Sequence, residues 1–541
     1  MSPRSARSLA ALAVAALVLG SGCQATPRPA SPSPRPTTAA DCPELATRIV
    51  DALQAYVDSF ADVTAGEVRG AVSARQADFT AATTALRERG VALGCDRTTL
   101  SDLVRTELGR LSGGTPVQDA VADTFRADPL GGVDPSDPGA ADLTVSTAEE
   151  LVSAVARAGG GSTIRLEAGT YSLPAPLVVL RPISLIGAGD GTSAKASSTI
   201  TASTGGATLV AATSGDLVLS DLAVRHRGEE VASVVVVAGG GYRFERIGVS
   251  GGAARDGAGG YGIVLRPASN PLTPTGSSRT LTDVSLTDND GGGLVIAADE
   301  KPTISRMQVT GSSGCGLCWI ERAAGTASQV TVTGTQIGFR VDNSAAPAIS
   351  DARVAKVDVG VALTGSGSPT LRRGSISSAA IGIQATGSGS AAFADVSIEN
   401  AREIGVRLSG TGATELSALS IGGRTKVGVA TVADARSTIT GTAIRTSGDV
   451  GLIWGEHATG TAGDVTIQGP KLGLQLSGQA RLEASDVIAD RSAAAAVLAG
   501  DTSSATLTRL TCGTAAGSAV VFDRTAQVSL VDSPTCQRVQ R

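Results

Sequence analysis

The chain has 541 residues, a formal net charge of −5, 68 glycines, 42% hydrophobic residues and only 2% aromatic ones. A chain of this length and apolarity can bury a core, built from small aliphatic and β-branched groups rather than rings. Its mildly acidic balance excludes the broad basic footprint of a nucleic-acid or anionic-membrane binder, so no nucleic-acid partner is expected.

At the N-terminus, "MSPRSARS" supplies a basic region, "LAALAVAALVLG" an apolar one, and "SGC" a small-residue cleavage site ending at Cys23. The apolar run is too short to span a bilayer comfortably, so residues 1–22 read as a signal peptide. A Cys directly after small residues resembles the lipobox of bacterial lipoproteins, with Gly20 where Leu is commonest and Leu19 one place early. The resemblance implies that Cys23 becomes a lipidated N-terminus and that the protein is exported and held at the outer face of the cell membrane. Setting Cys23 aside leaves six cysteines, Cys42, Cys95, Cys315, Cys318, Cys512 and Cys536. An even number in an exported chain reads as disulfides. Sequence alone leaves their connectivity open; proximity favours 42–95, 315–318 and 512–536.

Residues 23–41, with "QATPRPASPSPRPTTAA", form a Pro/Ser/Thr linker expected to be an extended stalk. Residues 42–127 read as α-helical. Leu45, Ile49, Leu53, Tyr56 and Phe60 follow helical spacing, as do Leu100, Leu103 and Val104 with Leu111 beyond. Thr115 and Pro116 suit an N-cap and first helical position. This region reads as a compact spacer, with an interaction domain as the alternative. A second linker, "ADPLGGVDPSDPGA", covers residues 128–141. Near Asp142 the pattern changes: Ser146 and Glu149 suggest a capping box before the short helix "LVSAVARA". Short strands broken by Gly and Pro follow.

The remainder repeats. Gly293, Gly316, Gly338, Gly360, Gly382, Gly405, Gly428, Gly451 and Gly473 each precede an apolar-x-apolar triplet, at separations of 22 or 23 residues. Between them recurs apolar-x-x-apolar-x-apolar, as in "LTDVSL" and "FADVSI". One such unit cannot bury its apolar face alone, but stacked units pair strand on strand and align their apolar residues in columns. With the helix-then-strand entry "TVSTAEELVSAVARAGGGSTIRLEAGTYSL", residues 142–541 resemble the right-handed parallel β-helix of the pectin-lyase-like superfamily. The expected fold is therefore all-β, a solenoid of about a dozen coils after a small helical domain. Because Cys512 and Cys536 lie one repeat apart, stacking would bring them within disulfide range and staple the last coil. Cys315 and Cys318 flank an expected turn and read as a structural disulfide rather than a redox motif.

Chemistry would sit in the early coils. Aligning "LSDLAVRHR", "FERIGVSGG" and "LTDVSLTDN" puts Arg225, His226 and Arg227 in one row with Ser250, Gly251 and Gly252, and with Thr287, Asp288 and Asn289. This makes a notch with a basic wall, a glycine floor and an acidic wall completed by Asp290. The same coils break the period: Gly262 to Gly293 spans 31 residues, and the insertions bring Arg255, Asp256, Tyr261 and Arg266 toward the region. Arg suits the carboxylate of an acidic sugar, and Asp pairs on such a face are able to hold a bridging Ca²⁺. β-Elimination would need a base at C5; hydrolysis would need paired carboxylates such as Asp288 and Asp290. None of the superfamily's catalytic signatures is present, however. Trp319 and Trp454 fall at inward positions, His457 sits in a charged turn, and no cofactor or zinc ligand set emerges. The expectation is a lipid-anchored envelope protein that is not an enzyme and binds polysaccharide on the loop-bearing face. The alternative is a polysaccharide lyase, glycoside hydrolase or epimerase using His226, Arg225, Asp288 and Asp290, with Arg227, Asn289, Arg255, Asp256, Tyr261 and Arg266 as binding residues.

Overall fold

The computed structural model describes residues 41–541 apart from 62–78, 80–81, 84, 87, 96, 116–117, 119–121, 123–124, 126–139, 191–196, 267–276 and 514–518. The signal peptide, Cys23, most of the stalk and Pro116 lie outside the described residues. No helix among those described is long and apolar enough to cross a membrane.

Helix α1 (Cys42–Asp58) starts where the Asp41 carboxylate accepts the Glu44 N–H at 2.9 Å. Its apolar stripe, Leu45, Ile49, Leu53 and Tyr56, is buried and packs with Leu100 and Val104 of α2 (Arg97–Glu107) and with Leu111 and Phe125. Cys42 and Cys95 are disulfide-bonded, with Cα atoms 5.8 Å apart. The Thr115 hydroxyl accepts the Gln118 N–H at 3.2 Å, the cap its position suggested. Helix α3 (Ala148–Arg157) is capped one residue later than the sequence pattern placed it. Thr147 is the extended N-cap, and the Glu150 carboxylate turns back to accept the N–H groups of both Ser146 and Thr147. Leu151, Ala154 and Val155 lie on its buried face, where α3 packs against Asp142–Val145, Thr163–Leu166 and Gly169–Leu173.

From Asp142 onward the chain is an all-β parallel solenoid of about 16 turns. That exceeds the dozen coils counted from the glycine period, because the early turns have unequal lengths and lack the glycine signature. The chain divides into two compact units, Met1–Ile247 with Arg266–Ser278, and Gly248–Leu265 with Arg279–Arg541.

In the second unit a coil has up to three short strands, for example Gly292–Ile296, Thr303–Ser305 and Gln308–Thr310, and in several coils the last two run on as one, as in Thr370–Ser377. Each pairs in parallel with its counterpart one coil on, aligning Leu294 with Leu317, Ile304 with Ala327 and Val309 with Val332. The inward residues form continuous columns. One runs Leu294, Leu317, Phe339, Val361, Ile383, Val406 and Val429, all 1% exposed or less. Trp319 and Trp454 sit fully inside. Between the second and third strands one residue takes the left-handed conformation and turns the corner: Asp283, Arg306, Gln329, Asp351 and Arg373 have φ of 51 to 56°. Along this corner row the guanidinium of one coil grips the carboxylate of the coil before. Arg306 meets Asp283 at 2.6 and 2.8 Å, and Arg373 meets Asp351 at 2.7 and 2.9 Å. In the first unit Arg246 meets Asp221 at 2.6 and 2.8 Å. The hydrogen bonds from Arg373 and Arg509 hold the carboxyls of Asp351 and Asp486 below their ordinary range. Such exposed pairs add little stability singly, but they penalise a slip in coil register.

Cys512 and Cys536 are bonded across the last coils with Cα atoms 5.1 Å apart. Cys315 and Cys318 are also bonded, with Cα atoms 5.9 Å apart, so the chain bends sharply between them at the start of the strand Cys315–Trp319. Both are buried in an apolar cluster with Val295 and Ala297.

The repeat glycines stand where neighbouring coils approach closely. A Cβ on Gly338 would lie 2.5 Å from the Gly360 carbonyl oxygen and 2.5 Å from Val354 Cγ1. Gly338→Ala is therefore expected to lower the unfolding free energy by about 1–3 kcal/mol in denaturant titrations. Gly169→Ala, where an added Cβ meets nothing within 4 Å, should be near neutral.

Candidate functional site

In the first unit the strand Ala223–His226 pairs with Ser198–Ala202, setting Arg225 beside Thr201 and His226 beside Ala202. Strand alternation then decides each side chain's face. Val224 and His226 point into the core at 0% and 4% exposure, Arg225 is half-buried on the outer side, and Arg227 is exposed just past the strand end. Burial pushes the pKa of His226 below the ordinary imidazole value, and hydrogen bonding with the backbone of Glu230 and Gly228 works against that shift. His226 is thus a core residue, not the rim residue the aligned motifs suggested.

In the second unit the row linking Ser250–Gly252 to Thr287–Asn289 has the register read from the motifs. The Gly251 N–H donates to the Asp288 carbonyl at 3.1 Å, and the Asp290 N–H donates to the Gly252 carbonyl at 2.9 Å. Asp288 (φ 52°) turns the chain and is exposed. Asn289 is fully buried. Its Oδ1 accepts the Gly252 N–H at 3.0 Å and its Nδ2 has no hydrogen-bond partner, so it holds the turn rather than facing a ligand. Asp290 is exposed, with Oδ2 3.4 Å from the Ala254 N–H. The glycine-rich insertion folds as a small antiparallel hairpin, Ala254–Arg255 with Ala258–Gly259, carrying Asp256 at its tip. Tyr261 is half-buried against the Cys315–Cys318 cluster, and Arg266 is an exposed residue of the first unit. Most of the other insertion, 267–276, lies outside the described residues. The basic triplet therefore belongs to one unit and the acidic residues to the other. Among the described residues, no group of three or more His, Cys, Asp or Glu gathers as a metal site.

A different feature of the second unit has the form of a binding groove. Where the third strand turns into the next coil, a left-handed residue recurs: Lys356, Ser378 and Asn400, with φ of 55 to 56°, then Gly423 at 72°. Pairing of Ala355 with Ser377, Ser377 with Glu399 and Glu399 with Gly422 stacks these four turns one coil apart. The turns and the residues after them line an open groove with Thr335 and Val357 on its inner side, and Lys356, Asp358, Ser378, Asn400, Arg402 and Arg424 exposed along it. Arg402 reaches back two coils to Asp358 at 3.3 Å. The Asn400 carboxamide oxygen accepts the Arg424 N–H at 3.2 Å. Lys356 and Arg424 make no ion pair among the described residues, unlike the corner-row arginines. No local motif announces this groove, since its residues lie about 22 apart. Reading one fixed offset after each "apolar-x-apolar" strand would have lined them up.

No family model matches the chain, and no curated protein matches it. Similar solved structures include the catalytic unit of a GH87 α-1,3-glucanase from Streptomyces thermodiastaticus strain HF3-3, at 13% identity and a TM-score of 0.34, covering 75% of this chain and 69% of that one. An alginate lyase from Paenibacillus sp. str. FPU-7 shares 14% identity at a TM-score of 0.31, covering 48% and 95%. Tailspike protein 3 of bacteriophage CBA120 shares 12% identity at 0.35, covering 73% and 58%. Likenesses this distant transfer neither an activity nor a site residue.

The buried imidazole sets a pH dependence. Because the folded-state pKa of His226 is lowered, the unfolded chain binds its proton first. Stability is then unaffected above about pH 6.5 and falls as pH drops below it. The paired aspartates lose their contribution only below about pH 4, leaving a window in which His226 acts alone. Denaturant midpoints measured from pH 7.5 down to 4.5 should decline for the wild type and flatten for His226→Phe. An equal slope in both would refute this origin.

Proposed function

We propose that the chain is an exported, lipid-anchored β-helix protein that binds a polysaccharide without cleaving it. The observation carrying this reading is the open groove along the turns from Lys356 to Arg424. It crosses successive coils parallel to the stacking direction, so it suits an extended polymer better than a compact small molecule. Its exposed hydroxyl, carboxamide and cationic groups are those that bind sugar hydroxyls and acidic substituents. A binding role rather than a catalytic one is favoured by His226, whose buried ring offers neither nitrogen to a substrate. Anchoring rests on the basic, apolar and small-residue run ending at Cys23, with the stalk of residues 23–41 separating lipid from folded protein.

Two measurements test this. The mature chain incubated with a broad polysaccharide panel is expected to retain at least one glycan while releasing no reducing ends and no unsaturated uronate. Product formation would replace the binding reading with the lyase or hydrolase alternative. Cys23→Ser should move the protein from the membrane pellet to the soluble fraction, and a variant that stays in the pellet would overturn the anchor.

A further inference from the structure

The charges along the groove name its ligand more closely. Resting on the polysaccharide-binding reading above, we propose that the turn groove selects a polyanionic glycan, one with an acidic group on successive sugars, laid along the row from Lys356 to Arg424. Elsewhere on this unit several coil-surface cations meet a carboxylate of a neighbouring coil. Arg306, Arg322, Arg373 and Arg509 each hold an aspartate, and Lys471 holds Asp449 at 2.7 Å. Those pairs serve the stack. Lys356 and Arg424 make no such pair among the described residues and share one groove with Arg402, standing three coils apart in the row, about 14 Å at the sheet spacing. Between them Arg402 spans the two coils back to Asp358, over Ala380, which has no side chain long enough to intervene. Asp358 is the only carboxylate among the described groove-lining residues, against three cations. Its pairing with Arg402 is exposed on both sides, so an incoming anion can take the guanidinium at little cost.

A single small anion would find one cation in a high-dielectric surface and bind negligibly. A chain of linked anions engages Lys356, Arg402 and Arg424 together, and each contact after the first is intramolecular. The Asn400 carboxamide, its oxygen engaged by the Arg424 N–H, presents donors to a sugar hydroxyl or carboxylate between them. Neutral glycans would gain only such hydrogen bonds and leave the cations without an anion.

The test is calorimetric titration of the mature chain with polyuronate oligomers from dimer to octamer, a sulfated glycan and a neutral glucan, at low and physiological salt. Polyuronate affinity should rise with length until the groove is spanned, and fall as salt screens the charges. Replacing Lys356 and Arg424 together by alanine should weaken binding about tenfold, while Asp358→Asn, removing the internal competitor, should tighten it about threefold. Melting temperatures of both variants should match the wild type. Comparable binding of the sulfated glycan supports the inference and assigns recognition to charge rather than carboxylate shape. If the neutral glucan binds as tightly, or Asp358→Asn fails to tighten binding, the inference falls and polysaccharide binding stands. If no glycan binds, both fall.

Discussion

The close approach of one coil to the next at the repeat glycines is the constraint on which the second unit depends. From Gly293 to Gly451 the following carbonyl and the third-strand Val or Ile occupy the volume a Cβ would need. That contact fixes how far apart coils stand at one edge, and the in-register columns from Leu294 to Val429 follow from it. Register then decides everything on the outside. Residues at the same offset in successive repeats become neighbours, whether they are the corner pairs or the groove from Lys356 to Arg424.

Two charge populations on this surface differ in their arrangement. Corner-row arginines meet carboxylates of the preceding coil through two nitrogens each, a geometry that reads relative coil position. The turn-row cations lie at or just after left-handed residues, and only Arg402 among them finds a carboxylate. The first arrangement is satisfied by folding. The second gathers exposed charge along one groove.

The fold was legible because its signal is a period, and a period survives the weakness of each strand. Inward residues, both tryptophans and the Cys512–Cys536 pair could be placed from it. Features set by one residue's phase could not. The helix cap moved from Ser146 to Thr147 because Glu150 reaches both preceding N–H groups. His226 reads as a polar residue after a core stretch, yet strand parity extends inward through it before Arg227 leaves the strand. Asn289 resembles a rim residue beside two aspartates, but the left-handed turn at Asp288 rotates it inward. The early coils were undercounted for a related reason: without the glycine signature there was no period to count.

The disulfide between Cys512 and Cys536 acquires a further meaning from the one-dimensional character of the stack. A solenoid whose units touch only their neighbours loses structure most easily from its ends, like a column unstacking. In the second unit the last coil is tied covalently to the coil before it, so peeling from that end is opposed. That arrangement slows loss of structure under proteolytic attack from this end.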